Sequence, residues 1–260
     1  YRGMEAGLQG IPGLRLVARP SEEAYMGSSF QFLLPDWEEP RIVAFLAACV
    51  ARGVELKWFG AGDPVAFFQP WNPENERWEE LELHPEWSFA DRSKYPALET
   101  LFDQVNNVYR TFPGVKFVAV HVAGYSENLK AVSSWLDQLP NLSIDTAARI
   151  GELGRHSSGE GHEFFTKYQD RIMFGTDLAF WNECDVQGAG PCKDFTMEEN
   201  HHFYDIHWRY FQTLDKQFDH PTPIQGNWKI DGIGLDESVL KKLYWDNAFR
   251  FYKLDRFGVA

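Results

Sequence analysis

Short apolar runs that end on a single polar side chain recur along the middle of the chain. Val115 to Val120 ends on His121, Leu142 to Ile144 on Asp145, and Arg171 to Thr176 on Asp177. Between them, Ser126 to Leu139 and Gly159 to Tyr168 read as helices, and Met197 to Leu214 reads as an aromatic helix further on. Strand, helix, strand, helix, strand is the order of a parallel sheet with crossover helices. The first quarter reads differently. Pro12 to Val17 and Ser28 to Leu34 are strand-like, Glu39 to Arg52 is an apolar-faced helix, and Val54 to Phe59 is a further strand. Together these predict a small β-β-α-β unit over residues 1–62.

A buried strand that delivers one ionisable group at its carboxyl end is how barrel enzymes place catalytic residues. His121 and Asp177 on one rim make half of a divalent metal site, and such a site activates water. Taken singly, each has a plainer role, an imidazole bonded to a carbonyl or a carboxylate capping a helix. Three polar tips on the same rim favour the catalytic reading. Asp63, before Pro64, is expected to cap a turn or helix. Among the other histidines, His201, His202 and His207 are expected to pack or face solvent, and His84 and His220 to lie in surface loops. His156 and His162 fall in or beside a Ser/Gly-rich stretch, Arg155 to Gly161, expected to be a mobile loop that closes over the rim.

The runs Leu139 to Arg155 and Phe164 to Asp177 resemble the amidohydrolase-related metal-dependent hydrolases, a group related to the aminocarboxymuconate semialdehyde decarboxylases. Asp63 to Trp71, Glu76 to Leu81, His84 to Phe89 and Leu243 to Arg250 extend the likeness over residues 63–260. The resemblance implies a (β/α)8 barrel with His121 and Asp177 as ligands of a divalent metal, zinc or manganese. It also implies catalytic roles for both, and it places Asp145 and Arg149 beside them, with Arg149 and Arg155 available to a small acid. Two family features are missing. No His-x-His occurs anywhere, and Gly60 stands where the family has a His three residues before the Asp-Pro.

Gly27 to Pro35 together with Ala51 to Gly60 is similar to the small carboxyl-terminal domain of some pyridoxal phosphate aminotransferases. No lysine stands in a context that marks a Schiff base. The two resemblances meet near Asp63, so the chain reads as a fusion, a rearranged fragment or an assembly artefact. The fold class is then α/β: the carboxyl-terminal part of a TIM-type barrel preceded by the β-β-α-β unit. Such a partial barrel leaves open sheet edges, which predicts a homo-oligomer unless the amino-terminal unit covers them.

Composition narrows the partners. A hydrophobic content of 44% supports a packed core, and the 16% of aromatic residues is read chiefly as packing. The formal net charge of -13 lies almost wholly after residue 62, which argues against nucleic acid or an anionic membrane as partner. No apolar run has the length of a membrane span, and the start at Tyr1 carries no signal pattern and reads as truncated. Three cysteines, Cys49, Cys184 and Cys192, suit a reducing, cytoplasmic setting with free thiols, although Cys184 and Cys192 bracket a loop that would allow pairing. The expected activity is hydrolysis of a C–O or C–N bond, or decarboxylation, of a small organic substrate, impaired by the missing imidazoles. Its alternatives are an inactive, oligomerising remnant and, last, an aminotransferase remnant.

Overall fold

The computed structural model describes residues 63–180, 184–188 and 192–257. The predicted β-β-α-β unit of residues 1–62 lies outside the described residues.

Helices α1 (Trp78–Leu83) and α2 (Leu98–Thr111) lead into strand β1 (Phe117–Ala119). Then follow α3 (Leu129–Gln138), β2 (Leu142–Asp145), α4 (Ile150–Leu153), α5 (Ser158–Lys167) and β3 (Ile172–Met173). The three strands form one parallel sheet in the order β1-β2-β3, with Phe117 opposite Leu142 and Ile144 opposite Ile172. Crossover helices between parallel neighbours are what the alternating pattern dictates. Among the described residues this parallel sheet has three strands and is not closed into a barrel. Two short antiparallel hairpins follow, β4 (Leu178–Phe180) with β5 (Asp185–Gln187) and β6 (Phe218–Asp219) with β7 (Lys229–Ile230). Helix α6 (Met197–Gln212) lies between them, and α7 (Glu237–Lys241) and α8 (Asn247–Tyr252) close the described part.

The core fills the space between the sheet and its helices. Phe117, Leu142 and Ile144 of the strands are fully enclosed with Val132 and Leu136 of α3, Phe165 of α5 and Phe211 of α6. The outer edge of β3 is covered by the carboxyl-terminal helices: the Phe174 N–H donates to the Leu243 carbonyl at 2.9 Å, and the Asn247 amide donates to the Ile172 carbonyl at 2.7 Å. Gly154 lets α4 approach β7, because a Cβ there would lie 2.3 Å from the Ile230 Cβ.

Five expectations are corrected. Arg155 to Gly161 is no mobile loop: Ser157 and Glu160 form a capping box that starts α5, each bonding the other's backbone N–H. His156 donates to the Ser126 carbonyl and His162 to the Ile233 carbonyl, so both rings are tied down. His220 is 2% exposed, with its Nε2 bonded to the Gly226 carbonyl, because the β6 turn folds under Trp228 instead of outward. His84 is half-buried and stacked on Trp87 at 3.9 Å. Asp63 is not the cap of the short helical turn Val65–Phe68, which begins after Pro64 without a side-chain cap, and the Val65 N–H donates to Glu127 at 3.2 Å. Cys184 and Cys192 are joined as a disulfide, their Cα atoms 5.4 Å apart, because the return of β5 brings them face to face.

Candidate functional site

The carboxyl ends of β1, β2 and β3 gather the ionisable groups that the sequence singled out. After β1 the backbone takes a left-handed turn. His121, Val122, Ala123 and Gly124 have φ of 57°, 55°, 57° and 69°. Three consecutive non-glycine residues in that region cost roughly 1–2 kcal/mol each, and such strain concentrates at functional sites. The turn is held by its contacts. The His121 N–H donates to Asp145 Oδ1 at 2.8 Å, and Val122 is completely buried.

The His121 ring is fixed in one tautomer. Its Nδ1 lies 2.7 Å from the Ala147 carbonyl. A carbonyl only accepts, so Nδ1 carries the proton and Nε2 holds a lone pair, the arrangement of a metal-binding or proton-accepting imidazole. Desolvation, helped by the nearby Arg149 charge, pulls the imidazole down to about 3, which keeps it neutral at ordinary pH. The β2 tip is equally fixed: Asp145 Oδ1 also accepts from the Ala147 N–H at 3.2 Å. Thr146 joins this tip to that of β3, its hydroxyl donating to the Gly175 carbonyl at 3.0 Å and accepting from the Gly175 N–H at 3.1 Å.

Asp177 sits past the end of β3 with φ 61°, and the Gly188 N–H donates to its carbonyl at 3.0 Å. Desolvation raises its carboxyl despite Arg149, although part of the residue stays open to solvent. Asp145 is pushed up to about 6, by desolvation first, with Asp177 adding to it and the His121 and Ala147 N–H groups opposing it. The two carboxylates therefore feel one another.

Arg149 is 4% exposed, and its Nη1 donates to the Ala148 carbonyl at 2.9 Å. Its charge reaches Asp63, Glu127, Asp145, Glu152 and Asp177. Arg155, the other predicted acid-binding residue, lies at the surface, paired with Glu76 at 2.8 Å and set over the Trp228 ring.

Sequence reasoning missed the layer beneath. Arg77 is 1% exposed and bonds both Glu80, at 2.6 Å, and Glu152, which is fully buried. Asp63 and Glu127 join the same field, with Asp63 raised to about 6 by desolvation while Arg149 opposes it. The available signal was a charged residue inside an otherwise buried motif, Glu152 between Gly151 and Leu153.

A family model described as Amidohydrolase matches residues 10–254. The chain belongs to the amidohydrolase family. The match spans both sides of Asp63, and the parallel strands with their polar tips are consistent with a TIM-type fold. No curated protein and no solved structure matches the chain.

Amidohydrolases usually bind a divalent metal, so the donor set decides how far this chain can follow. Among the described residues no three His, Cys, Asp or Glu side chains converge as ligands. The eight histidines all lie at or beyond His84, so residues 1–62 can add no imidazole. His121 Nε2 and Asp177 are two donors where a catalytic zinc takes about three protein ligands. The described residues alone do not make a complete catalytic metal centre.

Proposed function

We propose that this amidohydrolase acts, with impaired turnover, on a small organic substrate at the carboxyl ends of β1, β2 and β3, by C–O or C–N hydrolysis or by decarboxylation. The proposal includes kinship with the decarboxylase branch and a partial barrel as the scaffold. Its main support is the His121 ring, held by the Ala147 carbonyl so that Nε2 presents a lone pair at the rim that Asp177 shares.

In this reading Asp177, open to solvent on one side and with a raised carboxyl, takes a proton from an attacking water. His121 Nε2 accepts a hydrogen bond that orients the same water. The buried Arg149 charge offsets negative charge that develops on the substrate. Impairment follows from the two-donor set, which leaves acid–base groups without a full complement of ligands.

The test is elemental analysis together with turnover on a panel of small acids, esters and amides, for the wild type and the His121→Ala/Asp177→Ala double variant. The expected result is metal well below one equivalent and slow turnover that falls by about 10²- to 10⁴-fold in the variant. One equivalent of metal that survives dialysis overturns the impairment. Turnover no higher than in the double variant overturns the enzyme reading and leaves a folded, inactive remnant.

A further inference from the structure

Asp177 is followed directly by a hairpin that folds back onto it. Leu178 pairs with Gln187, Ala179 with Val186 and Phe180 with Asp185, and the next N–H, that of Gly188, reaches the Asp177 carbonyl at 3.0 Å. Gly188 has φ +72°, a conformation that a side chain would strain, so the closure depends on it. The hairpin is also docked on α6, where the Gln187 amide donates to Asn200 at 2.9 Å.

The disulfide lies on the other side of β5, at the end away from Asp177, and closes the ring of chain that contains Gly188. Cys184 immediately precedes β5, Cys192 follows, and their neighbours Asp185 and Lys193 exchange two backbone hydrogen bonds of 2.9 and 3.1 Å. Cys184 is 8% exposed, whereas Cys192 lies at the surface. One sulfur is thus open to an external thiol and the other is shielded among the residues that hold the hairpin.

We propose that Cys184 and Cys192 form a thiol–disulfide switch that sets how firmly the hairpin holds Asp177. In the reducing direction a dithiol's thiolate attacks the exposed Cys192 sulfur and the Cys184–Cys192 bond breaks. Cys184 leaves as a thiolate and takes up a proton, and the second thiol of the dithiol then resolves the mixed disulfide. Two electrons pass to the cysteine pair and the dithiol becomes a disulfide. Released from the cross-link, the segment between Cys184 and Cys192 that carries Gly188 is left to a few backbone bonds, and the Gly188 clasp on Asp177 loosens. The effect on turnover rests on the function proposed above; the effect on the hairpin does not.

The full-length protein is to be oxidised with a small-molecule disulfide, digested without reductant and mapped by mass spectrometry. Backbone hydrogen exchange is then compared for the oxidised protein, the protein reduced by a dithiol, and the Cys184→Ser/Cys192→Ser variant. The expected outcome is a Cys184–Cys192 linked peptide pair and at least a tenfold faster exchange over Leu178 to Gly188 in both uncoupled forms. The Phe117 to Ala119 strand should not change, which shows that the variant is folded, and the dithiol should have no effect on the variant. A cross-link to Cys49 instead, or equal exchange in the oxidised and reduced wild type, overturns the switch. Metal content and turnover are separate readouts, so failure of the enzyme reading leaves this result interpretable.

Discussion

At the scale of single residues, the site is governed by charges that water does not reach. Arg77, 1% exposed, is held between Glu80 and the fully buried Glu152. Removing one member of such a pair strands the other, at about 3–5 kcal/mol. Arg77→Met should therefore destabilise the protein by that amount in urea unfolding, although the change adds no cavity of note; a loss under about 1 kcal/mol would mean that water reaches Glu152. Asp63 acts in the opposite sense. Its carboxyl is raised from 3.8 to about 6 by desolvation, which Arg149 only partly offsets. The folded state thus holds this proton where the unfolded state has lost it, and stability falls as pH rises from about 4 to 6 and stays lower above. Asp63→Asn should be more stable than wild type by about 1–3 kcal/mol at pH 7.5, with the gain gone at pH 4, since each tenfold change in proton affinity is worth about 1.4 kcal/mol. An equal gain at both pH values would assign the effect to packing. Neither residue's burial could be read from the chain, because nothing local in Glu76-Arg77-Trp78 or Asp63-Pro64 says that the charge faces inward.

At the scale of elements, periodicity carried far and close approach did not. The strands ending near His121 and at Asp145, the crossover helices and α6 follow from apolar pattern, and the polar tips follow from where the runs stop. The left-handed turn at His121 to Ala123 does not, because β-branched and alanine residues carry no local preference for it; tertiary contacts impose it. The pattern places the start of α5 within one residue, at Gly159 against Ser158, but not its cap: Ser157 and Glu160 have capping-box spacing, and the glycines around them suggest a loop instead. The packing of α4 on β7 depends on Gly154, whose lack of a side chain is what brings the helix within reach of Ile230. A methyl group would meet the Ile230 Cβ at 2.3 Å, on a branched side chain with no room to swing away. Gly154→Ala should cost about 1–3 kcal/mol or more through overpacking and lower the thermal midpoint. Gly159→Ala, where nothing lies within 4 Å of the added methyl, is the control that should leave the midpoint unchanged or slightly raised.

At the scale of the whole molecule, the question is what covers the sheet. β3 is finished on its outer side by Leu243 and Asn247, so the carboxyl-terminal helices act as an edge cover. β1 pairs with β2 on one side, and its residues Phe117, Val118 and Ala119 are at most 1% exposed, so its other flank is covered as well. An apolar parallel strand at the edge of a sheet recruits a partner. Two candidates exist, the chain's own residues 1–62 and a second copy. They differ in a measurable way, because cover from the same chain is independent of concentration and cover from a second copy is not. Because Phe117 to Ala119 are already buried within one chain, we expect cover from the same chain: the mass from light scattering should stay that of a monomer as the protein is concentrated from about 1 to 100 µM. A mass that rises towards dimer across that range would assign the cover of β1 to a second copy and overturn this reading.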